Sequence, residues 1–146
     1  MAELSYVPRQ TVLNGQSALL NNSACICKCN QANGVIHTNG SGQVTLKGNR
    51  TYSVKVSGNI ALSEGATVGE IGIALAINGE AIPDTIAVAT PAAVGDFWNV
   101  STFKEVRVPC GCCITLSVDN VSPGATPAVA GPSIDIRNLN LDVNPI

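Results

Sequence analysis

The stretch Thr67 to Val88, TVGEIGIALAINGEAIPDTIAV, decides how this chain folds. Ile71, Ile73, Leu75 and Ile77 alternate with Gly72, Ala74 and Ala76, so a period of two puts large aliphatic groups on one face and small residues on the other. Such a strand is buried on both sides. Asn78-Gly79 supplies the two residues that tolerate positive φ in a type I′ turn, which sets Ile77 opposite Glu80, Ala76 opposite Ala81 and Leu75 opposite Ile82. If that register continued, Ile71 would face Ile86 and Asp84 would face Ile73. Pro83 cannot donate to a ladder, so the returning strand is expected to be an edge or to bulge there.

Working outward, 146 residues suit one domain, able to bury roughly two thirds of its unfolded surface. Charged residues are 12% and aromatics 3%, against a usual charged share of about 25%. This is the composition of a β protein that hides much of its surface. The formal charge is −2, and the eight Lys and Arg residues are scattered from Arg9 to Arg137. Without a basic cluster, a nucleic-acid partner is not expected. No run approaches the ~20 apolar residues of a membrane helix, and no membrane partner is expected either. The opening MAELSYVPRQTVLNGQ, with Glu3 and no apolar core, does not read as a secretory signal. Cytoplasmic synthesis is the expectation, and the Asn-x-Ser/Thr triplets at Asn21, Asn39, Asn49, Asn99 and Asn120 then read as composition.

Along the chain, residues 1–11 carry no period and read as an extended arm, leaving 12–146 as a single domain. Short strands are expected in Ser17–Ser23 and in the Cys-rich piece that follows it; Gly34–His37 leads into the turn-rich Thr38–Gly42, and Val44–Lys47 alternates cleanly. Tyr52, Val54 and Val56 alternate with Ser53, Lys55 and Ser57, a half-buried strand running on to Leu62. Phe97–Val108 follows, and Cys113–Asn120 places Ile114, Leu116 and Val118 inward. In Ile134–Val143 the apolar phase changes between Ile136 and Leu139, which predicts a bulge near Arg137-Asn138. No ten-residue window keeps a helical period. Eight to ten short strands at this spacing indicate an all-β antiparallel sandwich, a jelly roll.

Candidate chemistry is sparse. Cys25, Cys27 and Cys29 alternate, so in a strand their thiols share one face; Cys110, Cys112 and Cys113 form a second group. The spacings match no common zinc module. Reduced buried thiols, disulfides between the groups and a metal site all remain open. His37 is the only histidine, so no Ser-His-Asp or Cys-His set can be built without it. Beside Thr38 and a Gly-rich turn it reads as a loop or packing residue. No enzyme and no cofactor are expected, and metal is the least favoured of the three cysteine readings. Asp96-Phe97-Trp98-Asn99 holds the only Trp, and in an alternating strand only one of the two aromatics can face the core. Trp98 is the expected subunit or partner contact.

The order of pieces resembles a known family. VIHTNGSGQVTLKGNRTYSVKVSGNIAL, the aliphatic strand with its Asn-Gly hairpin, VRVPCGCCITLSVDN and the closing strand together look like the trimeric jelly roll of tumour necrosis factor and the complement globular head. The nearer likeness is to the bacterial and phage branch, which includes the carboxy-terminal heads of collagen-like spore-surface glycoproteins. It covers residues 12 to 143, without Gly-X-Y repeats, and is similar to stand-alone phage versions. The resemblance implies a homotrimer bound to the major capsid protein or another surface lattice, as a capsid decoration or head-fibre protein on the virion. A spore- or cell-surface filament subunit and a carbohydrate- or receptor-binding head are the alternatives. On this reading Gly72, Ala74 and Ala76 form a trimer interface with Trp98, unless they meet the opposing sheet. Leu4, Ser5, Tyr6, Val7, Pro8 and Arg9 form the docking arm.

Overall fold

Alternation becomes architecture wherever a strand can bury one face, and Arg50–Leu62 (β6) shows how. The computed structural model describes residues 2–22, 34–111, 113–124 and 131–146. In it Tyr52, Val54, Val56, Ile60 and Leu62 have no solvent exposure, while Lys55 between them is exposed. On one side β6 pairs with Trp98–Val108 (β10), on the other with Ile134–Pro145 (β12). Beyond β12 lie Ala2–Tyr6 (β1) and then Asn21–Asn22 (β3), and Gln10–Val12 (β2) also pairs with β12. This is the front sheet, in the order β10-β6-β12-β1-β3.

The back sheet runs β4-β5-β11-β7-β8. Its strands are Val35–His37 (β4), Val44–Lys47 (β5), Ile71–Ile77 (β7), Glu80–Ala81 (β8) and Cys113–Asn120 (β11), with Ala87–Ala89 (β9) also on β7. Every pairing is antiparallel, and there is no α-helix among the described residues. Between the sheets sits one core, with Leu4, Leu46, Ile71, Ile73, Leu75, Leu116, Val118 and Leu141 all fully buried. The all-β sandwich jelly roll read from the sequence is the fold observed. Among the described residues there are twelve strands instead of eight to ten, because Ala2–Tyr6 and Gln10–Val12 join the front sheet and the returning limb of the hairpin is split into β8 and β9.

The opening stretch behaves as a strand buried on both faces: Ile71 to Ala76 are all buried. Asn78 (φ 52) and Gly79 (φ 83) make the turn, and Ile77 faces Glu80 and Ala76 faces Ala81 as the turn demands. Past Leu75 the simple register fails. Pro83–Thr85 forms a 3-10 turn, and pairing resumes with Ile73 opposite Ala87 and Ile71 opposite Ala89, not Ile86. Thr85 fills the gap. Its buried Oγ1 accepts from the Leu75 N–H at 3.0 Å, so the missing ladder partner is replaced by a side chain.

In β12 the register shifts between Arg137 and Asn140, with Asn138 at φ 53. The bulge lets Ile134 and Ile136 on one side of it, and Leu139, Leu141 and Val143 on the other, all point into the core. Leu139 descends onto Gly58 of β6, where an added Cβ would lie 3.2 Å from Leu139 Cδ1.

The arm expected over residues 1–11 is corrected: Ala2–Tyr6 and Gln10–Val12 are strands of the domain. Ala2–Tyr6 pairs on both sides, with β12 and with β3, and Leu4 is fully buried. The stretch has no clean alternation, but one leucine and a free sheet edge suffice to recruit it, because an unpaired β12 edge would leave a row of orphan N–H and C=O groups.

Gly34 marks the entrance to β4 at φ +87, and a Cβ there would overlap the Tyr52 hydroxyl, which donates to the Lys47 carbonyl at 2.8 Å. Gly34→Ala is expected to displace that buried ring and cost about 1–3 kcal/mol. A thermal melt of the variant that matches the parent would contradict this packing.

Candidate functional site

The outward face of the front sheet is built from directly paired residues, which share a face in an antiparallel sheet. One row reads Glu3, Asp142, Lys55, Phe103 across β1, β12, β6 and β10. The next reads Ser5, Asn140, Ser57, Ser101. Most of these are small and polar because the opposite face of each strand already carries the core. Phe103 is the exception, 54% exposed and pointing away from it. Asp142 Oδ1 and Asn140 Oδ1 are buried with no hydrogen-bond donor, although the residues themselves are only half-buried. Buried acceptors are normally satisfied, so these two oxygens single out the middle of this face.

At one end of the same sheet, Asp135 lies 3% exposed beneath Arg9, Thr11 and Ser63. Arg9 Nε donates to Asp135 Oδ2 at 2.8 Å, with Nη2 closer still, and the hydroxyls of Thr11 and Ser63 donate to Oδ1 at 2.7 and 3.1 Å. Burial pushes the Asp135 carboxyl up, but the hydrogen bonds from Thr11, Arg9 and Ser63 and the Arg9 charge outweigh it and hold it below the usual carboxylate range. A carboxyl depressed in the folded state contributes stability that is fully present above its unfolded value of about 3.9 and is lost as pH falls through the lower folded value. Asp135→Asn is expected to flatten the acid limb of the stability profile below about pH 4. An unchanged acid limb would mean that another carboxylate sets it.

The guanidinium of Arg9 also lies 5.5 Å from the Phe97 ring centroid, and that of Arg137 lies 4.2 Å from it. Phe97 thus lies against two cations outside the core. Trp98 is 50% exposed, its Nε1 donating to Asp96 Oδ2 at 3.1 Å. Neither aromatic is a core wedge. Val7 and Pro8, in the turn between β1 and β2, are exposed at this end, where the Val7 carbonyl accepts from Asn138 N–H. Of the residues read as a docking arm, Leu4 is core, Tyr6 packs against it, Ser5 lies on the outward face and Arg9 is bound to Asp135. Only Val7 and Pro8 are both apolar and exposed.

Gly72, Ala74 and Ala76, read as a trimer interface, are buried within the single chain. They do not meet the opposing sheet, since that is the duty of Ile71, Ile73 and Leu75, yet Ala74 and Ala76 have no exposed surface to offer a sister subunit. Beside them Ser117 and Asp119 are buried as well, with Ser17 and Ser117 donating to Asp119 Oδ1 at 2.7 and 2.9 Å. The expected interface on this strand is therefore corrected: these three residues are buried within the chain itself.

Sequence reading missed Asn120. Its Nδ2 donates to the carbonyls of Val12 and Pro132, both at 3.0 Å, and its Oδ1 accepts from Ser122 N–H and Oγ–H at 3.0 and 2.6 Å. Ser122 Oγ in turn accepts from Gly72 N–H at 3.1 Å. One amide thereby ties β2, β7, β11 and the approach to β12 together. The only sequence signal was a polar residue at the inward phase of a strand.

Cys110 and Cys113 are exposed free thiols at the turn from β10 to β11; Cys25, Cys27, Cys29 and Cys112 lie outside the described residues. His37 packs at the end of β4, its Nε2–H donating to the Ser41 carbonyl at 2.8 Å. A cleft of about 710 Å³ is lined by Ser63, Glu64, Thr67, Val68, Glu70 and Pro132, among others, with no histidine or cysteine among the described residues of its wall. No helix among the described residues is long and apolar enough to cross a membrane.

No family model matches the chain, and no curated protein matches it. Among solved structures it is similar to an Eiger TNF from S. frugiperda, at 12% identity and TM-score 0.64, over 98% of this chain and 90% of that one. Looser matches are the C-terminal domain of the sugar-binding protein EclA (15% identity, TM-score 0.43, 93% and 78% covered) and a pika GITRL (10%, 0.40, 99% and 100%). With two antiparallel sheets in this order and the Eiger superposition running nearly end to end, the chain has the tumour-necrosis-factor-like jelly-roll fold.

Proposed function

We propose that this protein is a non-enzymatic structural module, a homotrimer that decorates the exterior of a bacteriophage capsid. The observation that carries the trimer is the front sheet's outward face, where Asp142 and Asn140 hold buried oxygens without donors and Phe103 stands exposed. A sister subunit on this face would supply the donors and cover the ring. Closed cyclic symmetry is the common solution for identical chains, and three identical weak contacts on a three-fold lattice position reinforce one another. The capsid reading draws on the sequence likeness to stand-alone phage proteins. The end bearing Val7, Pro8 and Trp98 is the docking end, because its apolar groups are exposed beside the Arg9–Asp135 ion pair.

Native mass spectrometry at micromolar concentration should give three times the 14.9 kDa chain mass. Purified trimer added to undecorated capsids of the parent phage should co-sediment with them, and Trp98→Ala should weaken that binding while leaving the trimer intact. A monomer would refute the assembly. A trimer that ignores capsids, or that polymerises into filaments alone, would refute the capsid role.

A further inference from the structure

We infer that the row Glu3, Asp142, Lys55, Phe103 is a head-to-tail contact strip, the acidic half of one copy seating against the Lys55 and Phe103 half of the next. The inference rests on the trimer reading above and assigns its chemistry. Around a three-fold axis each subunit must present two different patches, one to each neighbour. This row provides them. Across four strands spaced about 4.8 Å apart it passes from Glu3 and Asp142 to Lys55 and Phe103, a change from acidic to basic and aromatic over roughly 14 Å.

Three observations single out the row. Asp142 Oδ1 is buried and accepts no hydrogen bond, so it is a desolvated oxygen awaiting a donor. The ion pairs found among the described residues are Arg9–Asp135 and Lys104–Asp84, so Lys55, though directly opposite Asp142 on the sheet, does not close on it within its own chain. Phe103 pairs with Lys55 and is 54% exposed. An ammonium reaching the neighbour's carboxylate beside a covering aromatic ring sits where water is excluded, and there the attraction exceeds that of an exposed pair. The partner that fits is a second copy of this chain, because both complementary halves lie on one strip.

Charge reversal tests this. Asp142→Lys and Lys55→Glu, each alone, should weaken the trimer by roughly tenfold or more in dissociation constant, measured by native mass spectrometry and light scattering. Mixing the two single variants, one of them isotope-labelled, should favour 2:1 mixed trimers over pure ones, because two of the three contacts in a mixed trimer then oppose unlike charges, one of them the swapped pair, whereas every contact in a pure variant trimer opposes like charges. Milder Asp142→Asn and Lys55→Gln changes should move the trimer in the same direction, and circular dichroism checks that each variant is folded. If the two residues pair within a chain instead, the double variant recovers but the mixture does not, which overturns the inference. Trimers indifferent to all four substitutions overturn it too and leave the trimer reading standing. A wild-type monomer removes that reading itself.

Discussion

Leu4→Ala is expected to lower the unfolding free energy by about 2–5 kcal/mol. Leu4 is fully buried, in the strand that lies between β12 and β3, and faces Leu141 in the register. Truncation removes apolar burial and leaves a cavity that a strand hydrogen bonded on both sides cannot collapse to fill. Urea unfolding followed by the fluorescence of Trp98 measures it directly. A loss below about 1 kcal/mol would return residues 2–6 to the status of a dispensable arm. Deleting Ala2–Tyr6 should do more. It removes five residues of pairing from β12 and exposes an edge prone to pair with other chains, so the deletion protein should be recovered as aggregate.

Asn120→Ala should be comparably severe, about 3–5 kcal/mol. The alanine leaves the Val12 and Pro132 carbonyls and the Ser122 N–H and Oγ–H without their partners in a site where Asn120 is 1% exposed. Each buried group left unmade costs about 1–3 kcal/mol, and partial relaxation or water entry returns some of it. Asn120→Asp keeps the shape but aims oxygen at two carbonyls, so it should be no better tolerated. The check is a urea midpoint that falls while the slope is unchanged, which marks a loss of stability and not a change in surface exposed. A near-neutral Asn120→Ala would show that the amide is incidental to joining the sheets.

Much of the molecule was legible because period-two patterning is local. Val44–Lys47, Tyr52–Leu62 and Cys113–Asn120 announce themselves by alternation, and each lies in a strand of the fold. Even the β12 bulge was written in the phase change between Ile136 and Leu139. The returning limb of the hairpin was half legible: Pro83 forbade a plain ladder, but only the packed structure shows Thr85 taking over the Leu75 N–H and moving the register to Ala87. The site was less legible still. Gly72, Ala74 and Ala76 look like a surface for close approach, yet smallness says only that something approaches closely, not what.

The sequence by itself determined the fold class, most of the longer strands, the Asn78-Gly79 turn and the bulge, because each follows from side-chain size and backbone freedom within a few residues. Only the tertiary structure decided that Ala2–Tyr6 is a strand and not an arm, that Asn120 joins the two sheets, and which sheet face is left open. Those depend on pairings between residues more than a hundred positions apart, such as Ala2 to Tyr6 with Leu139 to Val143. No local pattern records which distant edge a short strand will complete or which buried oxygen will lack a donor.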